Sequence, residues 1–131
     1  MEKIIPSSKI CIAKSKIPNA GRGVFATRNF KKGETIETCP IIELSKYDTS
    51  NLKESFLVTY FFFFGKNKER LAIALGFGSI YNHSNTPNAT FKVKSKEAVI
   101  EFSSIKNIKK YEEITFDYHH GTSKKSPLWF E

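Results

Sequence analysis

Short runs of alternating apolar and polar residues, each followed by turn-forming residues, recur along the chain. Residues 9–13 alternate, residues 24–27 are β-branched, aromatic or small, and a segment rich in glycine, proline and asparagine lies between the two runs. Alternation bounded in this way is typical of β-strands joined by turns. We therefore predict two strands here, with a further turn at residues 31–34, where two lysines precede Gly33.

The middle of the chain continues this pattern with a proline and an aromatic run. Residues 35–39 and 41–44 are predicted as separate strands, because Pro40 lies between them and proline is tolerated only at the edge or end of a strand. The polar residues that follow are predicted as a loop with one helical turn. The aromatic run at residues 56–64 is predicted as a strand that forms a hairpin with residues 71–75.

A second hairpin is predicted where residues 90–94 and 98–102 flank a polar tip. No stretch of about 12 residues shows the 3.6-residue periodicity of an amphipathic helix. The fold class that follows is mainly β, with short helical turns only. The chain has 131 residues, 40% hydrophobic and 14% aromatic, and no repeat or linker-like segment, so we expect a single domain spanning residues 1–131.

The net charge of +8 is unevenly distributed. Residues 1–33 contain eight Lys and Arg against one Glu, whereas residues 34–65 contain two Lys against five Asp and Glu. A basic surface attracts polyanions whatever its fold. The basic N-terminal third is therefore a candidate contact for DNA, and the acidic residues within 34–54 are a candidate contact for a basic peptide. Scattered solvated lysines explain the total charge equally well.

The cysteines and the hydropathy of the chain exclude several classes of protein. Cys11 and Cys39 are not at a spacing suited to zinc, so no metal site is predicted, and both thiols are expected to be reduced in an intracellular protein. The charged N-terminus, with Pro6, lacks the apolar stretch of a secretory signal. The longest apolar run, residues 56–64, is far shorter than the roughly 20 residues that span a bilayer, so no membrane contact is expected.

Three segments use residue types that strand formation alone does not select. The first, residues 21–26, fits a loosened dinucleotide-binding pattern, but such a site needs a helix to begin there, and this segment is β-branched and aromatic. What remains is either a plain turn or a place where the backbone approaches a ligand closely.

The other two segments combine apolar strands with polar side chains. Residues 75–89 place Asn82 and His83 directly after an apolar strand, where buried polar groups need partners from the protein or from a ligand. Residues 111–118 carry an aromatic row that ends in Tyr118. Such a row is typical of a core-facing strand, but a terminal tyrosine hydroxyl is also placed to meet a polar atom in an apolar channel.

In this order and at this spacing, the three segments resemble the motifs of the SET-domain family of protein lysine methyltransferases. The segments at residues 21–26, 82–88 and 112–118 resemble its GxG, NHSxxPN and E-[EL]-[IL]-T-[FY]-D-Y motifs, respectively. The resemblance covers about residues 9–118, and residues 74–78 are also similar to minimal viral members of the family that act on a histone tail. It implies a SET-domain β-clip of small sheets with a C-terminal pseudoknot.

The resemblance also implies an activity and a set of site residues. Family members transfer a methyl group from S-adenosylmethionine to the amine of a protein lysine, so the expected substrate is a lysine-containing protein, most simply a histone tail. By residue matching, the cofactor-binding positions are Gly21, Arg22, Gly23, Asn82 and His83. The catalytic position is Tyr118, and the positions that line the lysine channel are Tyr60 and Phe116.

The C-terminal tail departs from the family pattern. Larger members continue into a cysteine-rich zinc-binding segment that completes the lysine channel, whereas this chain has no cysteine after Cys39. In the tail, residues 119–131, we expect Trp129 to fold back as the missing channel wall and to contact the cofactor; a frayed terminus is the alternative. In relatives, a phenylalanine at the position of Phe116 leaves room for a methylated amine, which favours di- or trimethylation.

Two other classes fit parts of the pattern. One is a catalytically silent SET-fold module that binds a lysine-rich tail or chromatin. The other is a basic β-domain for single-stranded nucleic acid, which would also interleave aromatic and basic residues. The favoured interpretation is a lysine methyltransferase that acts in the nucleus or on chromatin if its host is eukaryotic. It would contact nucleosomal DNA through its basic surface, and a homodimer is compatible with the sequence.

Overall fold

The alternating segments of the sequence form strands in the structure. A computed structural model describes residues 3–52, 55–64 and 70–118. In chain order its elements are β1 (Ile10–Lys14), β2 (Arg22–Ala26), β3 (Thr35–Glu43), α1 (Lys46–Leu52), a 3₁₀ turn (Phe56–Tyr60), β4 (Phe62–Phe64), β5 (Arg70–Ala74), β6 (Asn82–His83), β7 (Ala89–Lys94), β8 (Val99–Ser104) and β9 (Glu113–Phe116). The predicted fold class, mainly β with short helical turns, is confirmed.

The strands form two small sheets, with orders β1-β2-β9-β6 and β4-β5-β3-β8-β7. Both predicted hairpin pairings are present, since β4 is antiparallel to β5 and β7 is antiparallel to β8. The short strand β6 is parallel to β9, with Asn82 opposite Thr115 and His83 opposite Phe116. Parallel neighbours need a crossover connection, and here the β7–β8 hairpin lies within it. This topology brings the second and third motif segments together.

Residues 35–43 form one strand, so the prediction of two strands separated at Pro40 is wrong. Strand β3 pairs with β8 from Thr35 to Pro40 and with β5 from Ile41 to Glu43. Pro40 therefore lies where the strand changes its hydrogen-bonded neighbour, and its missing N–H costs little there. Its carbonyl still accepts a hydrogen bond from the Leu75 N–H at 2.9 Å.

The polar segment and the aromatic run after β3 contain more helix than expected. Ser45 caps α1, because its hydroxyl accepts a hydrogen bond from the Asp48 N–H at 3.1 Å. The prediction that residues 56–64 form one strand is wrong, since Phe56–Tyr60 is a 3₁₀ turn and only Phe62–Phe64 is extended. An aromatic run without alternation gives no periodicity from which a buried strand and a turn could be distinguished.

An aromatic cluster joins the two sheets. Phe62, Phe91 and Phe102 come from the five-stranded sheet, and Phe116 comes from the four-stranded sheet. The ring centroids of Phe62 and Phe91 are 4.9 Å apart, and those of Phe102 and Phe116 are 5.5 Å apart. Each such pair adds about 0.5–1.5 kcal/mol beyond burial. The cluster thus fixes strand β9, which carries the third motif, against the larger sheet.

Candidate functional site

Asn82, in the two-residue strand β6, is anchored through its amide nitrogen. The Nδ2 atom donates to the Arg22 carbonyl oxygen at 2.9 Å and to Glu113 Oε2 at 2.8 Å. Because these two oxygens are acceptors, they fix which end of the amide is the nitrogen. The Oδ1 atom is the other end, and no donor among the described residues bonds it, although Asn82 is only 6% exposed. A buried amide oxygen of this kind needs a donor from elsewhere.

In the glycine loop, residues 21–23, the surrounding contacts explain why position 23 must lack a side chain. A Cβ atom at Gly23 would lie 2.9 Å from Asn82 Nδ2 and would collide with the Glu113 carboxylate. Gly21 has a φ of 72°, in the left-handed region that favours glycine. Arg22 has an exposed side chain, and it is its backbone carbonyl that holds Asn82. The structure thus brings two of the three predicted loop residues, Arg22 and Gly23, beside the predicted Asn82, and Gly21 directly precedes them.

Ser15 and Glu113 belong to the same network, although neither was among the predicted site residues. The Ser15 hydroxyl donates to Glu113 Oε1 at 2.8 Å, while the other carboxylate oxygen accepts from Asn82. Strand alternation placed Glu113 on the face opposite the aromatic row, which was a usable signal. Ser15 follows β1 in a turn, and nothing in the sequence singles it out.

His83 is held inside the protein through both ring nitrogens. Its Nδ1 atom accepts a hydrogen bond from the Tyr118 backbone N–H at 3.0 Å, and its Nε2 atom lies 3.0 Å from Asn85 Oδ1. Because a backbone N–H can only donate, the ring hydrogen is on Nε2, which donates to Asn85. The imidazole is buried, and its Nδ1 atom fixes the backbone of Tyr118.

The Tyr118 hydroxyl, the predicted catalytic group, donates to the Tyr81 carbonyl oxygen at 2.6 Å. Burial raises the pKa of this phenol well above its ordinary value, and the neighbouring Tyr60 and Glu113 add to the shift. The phenol therefore keeps its proton at neutral pH and cannot act as a general base there. A phenolic oxygen that donates its own hydrogen can still accept one from an amine.

The predicted channel residues in the described part of the chain lie next to Tyr118. Tyr60 ends the 3₁₀ turn and is close enough to Tyr118 to raise its pKa. Phe116 is 5% exposed, and its ring centroid is 5.0 Å from that of Tyr118. Trp129, predicted for both the channel and the cofactor site, lies outside the described residues.

A small, partly open cleft of about 150 Å³ shares Phe116 with this site. Its lining is mainly apolar and consists of Pro87, Ala89, Thr90, Phe91, Ile105, Phe116 and Asp117. Two of these residues, Phe116 and Asp117, directly precede Tyr118, which is the last described residue.

The acidic residues within 34–54 are not all available to a peptide. Glu34 forms an ion pair with Arg28. Glu37 is only 7% exposed, and its carboxylate accepts hydrogen bonds inside the fold. Glu43 and Asp48 are exposed, and Glu54 lies outside the described residues. An acidic side that faces a basic peptide therefore stays a prediction, without Glu37.

Three plain observations complete the description of the site and its surroundings. Among the described residues, no group of three or more His, Cys, Asp or Glu side chains could hold a metal ion. No helix in these same ranges is long and apolar enough to cross a membrane. Cys11 is exposed and Cys39 is buried, and both are free thiols.

Asn82 and His83 lie in β6, Tyr118 follows the neighbouring strand β9, and the segments that carry them match a known family. Residues 21–119 fit the family model of the SET domain. The chain belongs to the SET-domain family. The predicted family and its fold of small β-sheets are thereby confirmed, and so is its class of activity, protein-lysine N-methylation with S-adenosylmethionine as the methyl donor.

Individual relatives of this SET domain agree with the family match. A histone-lysine N-methyltransferase of Schizosaccharomyces pombe, H3 lysine-37 specific, is 31% identical over 112 residues, which cover 85% of this chain and 71% of the relative. A crystal structure of a Plasmodium falciparum protein, provisionally assigned as a histone methyltransferase, matches this chain with 33% sequence identity and a TM-score of 0.71. The match covers 88% of this chain and 97% of the Plasmodium falciparum chain. An autoinhibited Chaetomium thermophilum Polycomb Repressive Complex 2 bound to S-adenosylmethionine shares the fold alone, at 22% identity, with a TM-score of 0.72 over 92% of this chain and 16% of that one.

The side chains of this SET domain fit the family's methyl donor. The buried Asn82 Oδ1 atom is an acceptor without a donor among the described residues, which suits the ammonium group of S-adenosylmethionine. The missing side chain at Gly23 leaves room for Asn82 Nδ2 and the Glu113 carboxylate, which hold the other end of the same amide. A buried acceptor held in this way suits a ligand that carries a charged amine.

Proposed function

We propose that this SET domain methylates a lysine of a histone tail and acts on chromatin. The observation that carries the proposal is the Tyr118 hydroxyl, held 2.6 Å from the Tyr81 carbonyl oxygen by residues that flank the paired strands β6 and β9. A buried phenol with a raised pKa is typical of a reactive site. The histone substrate is supported by the Schizosaccharomyces pombe relative, which is specific for H3 lysine 37.

In this proposal, the glycine loop and strand β6 would together hold S-adenosylmethionine. Asn82 accepts a hydrogen bond from the ammonium group of the cofactor through Oδ1, because Arg22 and Glu113 hold the other end of the amide. Gly21 and Gly23 contribute backbone contacts. His83 contributes through its backbone, since both ring nitrogens already have partners. When bound, the cofactor supplies a methyl carbon attached to a positively charged sulfur.

The lysine substrate must react as a neutral amine. A free lysine has a pKa of about 10.4, so roughly one in a thousand is neutral near pH 7.4. An apolar channel walled by Tyr60 and Phe116 disfavours the charged ammonium, and a neighbouring positive charge lowers the pKa of the amine further. The protein therefore does not need a general base, which agrees with the retained proton of Tyr118.

Tyr118 orients the amine in this mechanism. Its hydrogen is committed to the Tyr81 carbonyl, so its oxygen can accept a hydrogen bond from an amine N–H and direct the nitrogen lone pair. His83 fixes the Tyr118 backbone from the other side. The rate gain then comes from alignment and from dipoles that are in place before the substrate arrives.

Phe116 sets how many methyl groups the amine can carry. Its ring has no hydroxyl that would crowd a methylated amine or hold a water beside it. It is also fixed by neighbouring rings, with Phe91 at 5.3 Å and Tyr118 at 5.0 Å between centroids. We therefore propose di- or trimethylation as the product state.

The tail is proposed to complete the channel through Trp129. The tail follows Tyr118 directly, and the two residues before Tyr118, Phe116 and Asp117, line the apolar cleft. At about 3.3–3.6 Å per extended residue, the segment from Tyr118 to Trp129 is long enough to reach the cleft and the lysine channel. An aromatic ring at that place would exclude water from the amine and cover the cofactor.

The basic surface is proposed to contact nucleosomal DNA through a patch built from two chain segments. A β-bridge between Phe30 and Ile108 holds the segments together, and the Lys32 N–H donates to Asn107 Oδ1 at 2.9 Å. The patch consists of exposed lysines for which the described residues contain no ion-pair partner: Lys31, Lys32, Lys106, Lys109 and Lys110.

A double substitution, Lys109→Gln with Lys110→Gln, tests this patch. Binding to a duplex DNA oligonucleotide should weaken, and the slope of log K against log salt should fall by up to about 0.9 for each phosphate that the variant no longer neutralises. Methylation of a free histone peptide should not change. Lys94→Gln serves as the control, because Lys94 is paired with Glu101 at 3.1 Å. An unchanged salt slope in the double variant would contradict the DNA contact.

The methyltransferase proposal is tested by calorimetric titration of S-adenosylmethionine followed by radiolabelled methyl transfer to core histones and a lysine-peptide array. Tyr118→Phe should bind the cofactor as the parent does and turn over about 10²–10⁴-fold more slowly. Tyr111→Phe is the matched control, because Tyr111 is 70% exposed. A parent that binds histone peptides without methyl transfer would support the silent module instead. Equal turnover of Tyr118→Phe and the parent would remove Tyr118 from catalysis.

A further inference from the structure

A buried polar cluster centred on strand β3 takes no part in the chemistry described above. The Tyr81 hydroxyl donates to Glu37 Oε1 at 2.7 Å, and the Phe77 N–H donates to Glu37 Oε2 at 3.0 Å. Glu37 is 7% exposed and Tyr81 is 1% exposed. The Cys39 thiol faces the same carboxylate, and burial followed by the charge of Glu37 raises its pKa, so the thiol stays protonated.

The Glu37 carboxylate is satisfied by neutral donors. In the ranges that the structure describes, no Lys or Arg lies within ion-pair distance of it. Burying a carboxylate without a cation opposes folding, and an apolar side chain would fill the same space at a smaller cost. A carboxylate at this position therefore points to a role other than stability.

The turn between β5 and β6 is built around this carboxylate. Gly76 has a φ of 64°, and a Cβ atom there would collide with the Glu37 carboxylate. The turn leads to Tyr81, whose ring stacks on Phe102 with centroids 4.4 Å apart. Glu37 thus holds the tip of the Tyr81 side chain and Phe102 holds its face, which fixes the position of the Tyr81 backbone carbonyl.

We propose that Glu37 is a positioning residue for Tyr118. Glu37 fixes Tyr81, and the Tyr81 carbonyl oxygen in turn receives the Tyr118 hydroxyl at 2.6 Å. The inference rests on the proposed catalytic role of Tyr118 and extends it to a side chain on a distant strand. If Glu37 released Tyr81, the carbonyl and the phenol would shift together, and a displacement of about 1 Å near a reacting group can cost about 10²-fold in rate.

Tyr81→Phe tests this role, because it keeps the ring and the backbone and removes only the hydroxyl that Glu37 binds. We expect kcat to fall by about 10- to 100-fold, while KM for the peptide and Kd for S-adenosylmethionine stay within about threefold of the parent values. Glu37→Gln is the second variant. It places an amide NH₂ among donors and should change kcat in the same direction, so the test does not depend on one variant folding.

Ser104→Ala is the matched control. The Ser104 side chain is also buried, at 2% exposed, and its hydroxyl donates to the Lys31 carbonyl at 2.6 Å, outside the site. Loss of the Ser104 hydroxyl should lower Tm by roughly 2–6 °C and leave kcat unchanged. Tyr81→Phe should lower Tm by a similar amount but should also lower kcat. A general loss of packing would instead lower kcat in both variants.

Coupling to Tyr118 separates positioning from a structural effect. In a Tyr118→Phe background, adding Tyr81→Phe should change kcat by less than about twofold. An equal loss with and without the Tyr118 hydroxyl, or an unchanged kcat for both Tyr81→Phe and Glu37→Gln in the parent, would overturn the inference. Failure of the proposed function would be distinct, because the parent itself would then transfer no methyl group or Tyr118→Phe would match it.

Discussion

Replacing Gly23 by alanine perturbs the proposed cofactor site where the backbone packs against Asn82 and Glu113. The added methyl would lie 2.9 Å from Asn82 Nδ2 and would collide with the Glu113 carboxylate, whereas ordinary van der Waals contact begins at 3.4 Å. The β2 backbone or the Asn82–Glu113 pair must therefore move by at least about 0.5 Å. Overpacking of this kind costs about 1–3 kcal/mol of unfolding free energy. For a chain of this length, Tm should fall by roughly 3–12 °C.

The loss of cofactor affinity follows from the orientation of Asn82. If Nδ2 no longer reaches the Arg22 carbonyl and Glu113, Oδ1 is no longer directed at the ammonium group of S-adenosylmethionine. A hydrogen bond to a charged group contributes about 1.5–3 kcal/mol. Affinity should therefore fall by roughly 10- to 150-fold. Isothermal titration calorimetry measures the affinity, and differential scanning fluorimetry measures Tm.

Gly33→Ala provides the matched control for this substitution. Gly33 has a φ of 87° and open space where a Cβ atom would be, so alanine strains the backbone by about 1–2 kcal/mol without touching the site. Both variants should melt at a lower temperature, but only Gly23→Ala should bind the cofactor weakly. If Gly23→Ala bound S-adenosylmethionine as tightly as Gly33→Ala and the parent, the argument that Gly23 supports Asn82 would be refuted.

Three further tests concern the lysine channel and the buried phenols. Phe116→Tyr should shift the product toward monomethyl-lysine, because its hydroxyl takes space that a methylated amine needs. Mass spectra showing only monomethyl product from the parent would contradict this. Truncation after Gly121 should abolish peptide methylation by removing Trp129, and undiminished activity would exclude the tail from the channel. Burial raises the pKa of Tyr81 and of Tyr118, which favours the neutral phenols in the folded state. Their contribution to stability is therefore unchanged below the ordinary tyrosine pKa of about 10 and is lost as pH rises above it. Urea unfolding from pH 7 to about 11 measures this loss, which should be smaller for Tyr118→Phe, and equal losses would count against a shifted Tyr118.

Local pattern was sufficient for the parts of the fold that depend on local pairing. The β7–β8 hairpin follows from alternation on both sides of a polar tip, since period-two patterning and a short connection determine both strands and their register. The Pro40 error has a non-local cause. Whether a proline is tolerated depends on which neighbour requires its N–H, and β3 obtains its two neighbours from β5 and β8, which come much later in the chain.

The same distinction applies to the site. Gly23, Asn82 and Tyr118 could be singled out because they lie in motifs whose order and spacing are visible in the sequence. Glu37 could not be given a role, and for Glu113 alternation gave only the face of its strand, because an acidic side chain in a strand is ordinarily solvated. Their roles depend on long-range neighbours: β9 lies between β2 and β6, and the turn after β5 folds over Glu37.

The parallel pairing of β6 with β9 also has a consequence for folding kinetics. Its register partners Asn82 and Thr115 are more than thirty residues apart, so a long loop must close before they meet, whereas the hairpin between them can form within microseconds. The proposed S-adenosylmethionine site is therefore expected to assemble late, and a partly folded chain should not bind this cofactor. Conversely, S-adenosylmethionine at 100 times its Kd would raise the free energy of unfolding by about 2.7 kcal/mol. Metabolic supply of the donor would thus govern how well the final strand resists local opening and proteolysis.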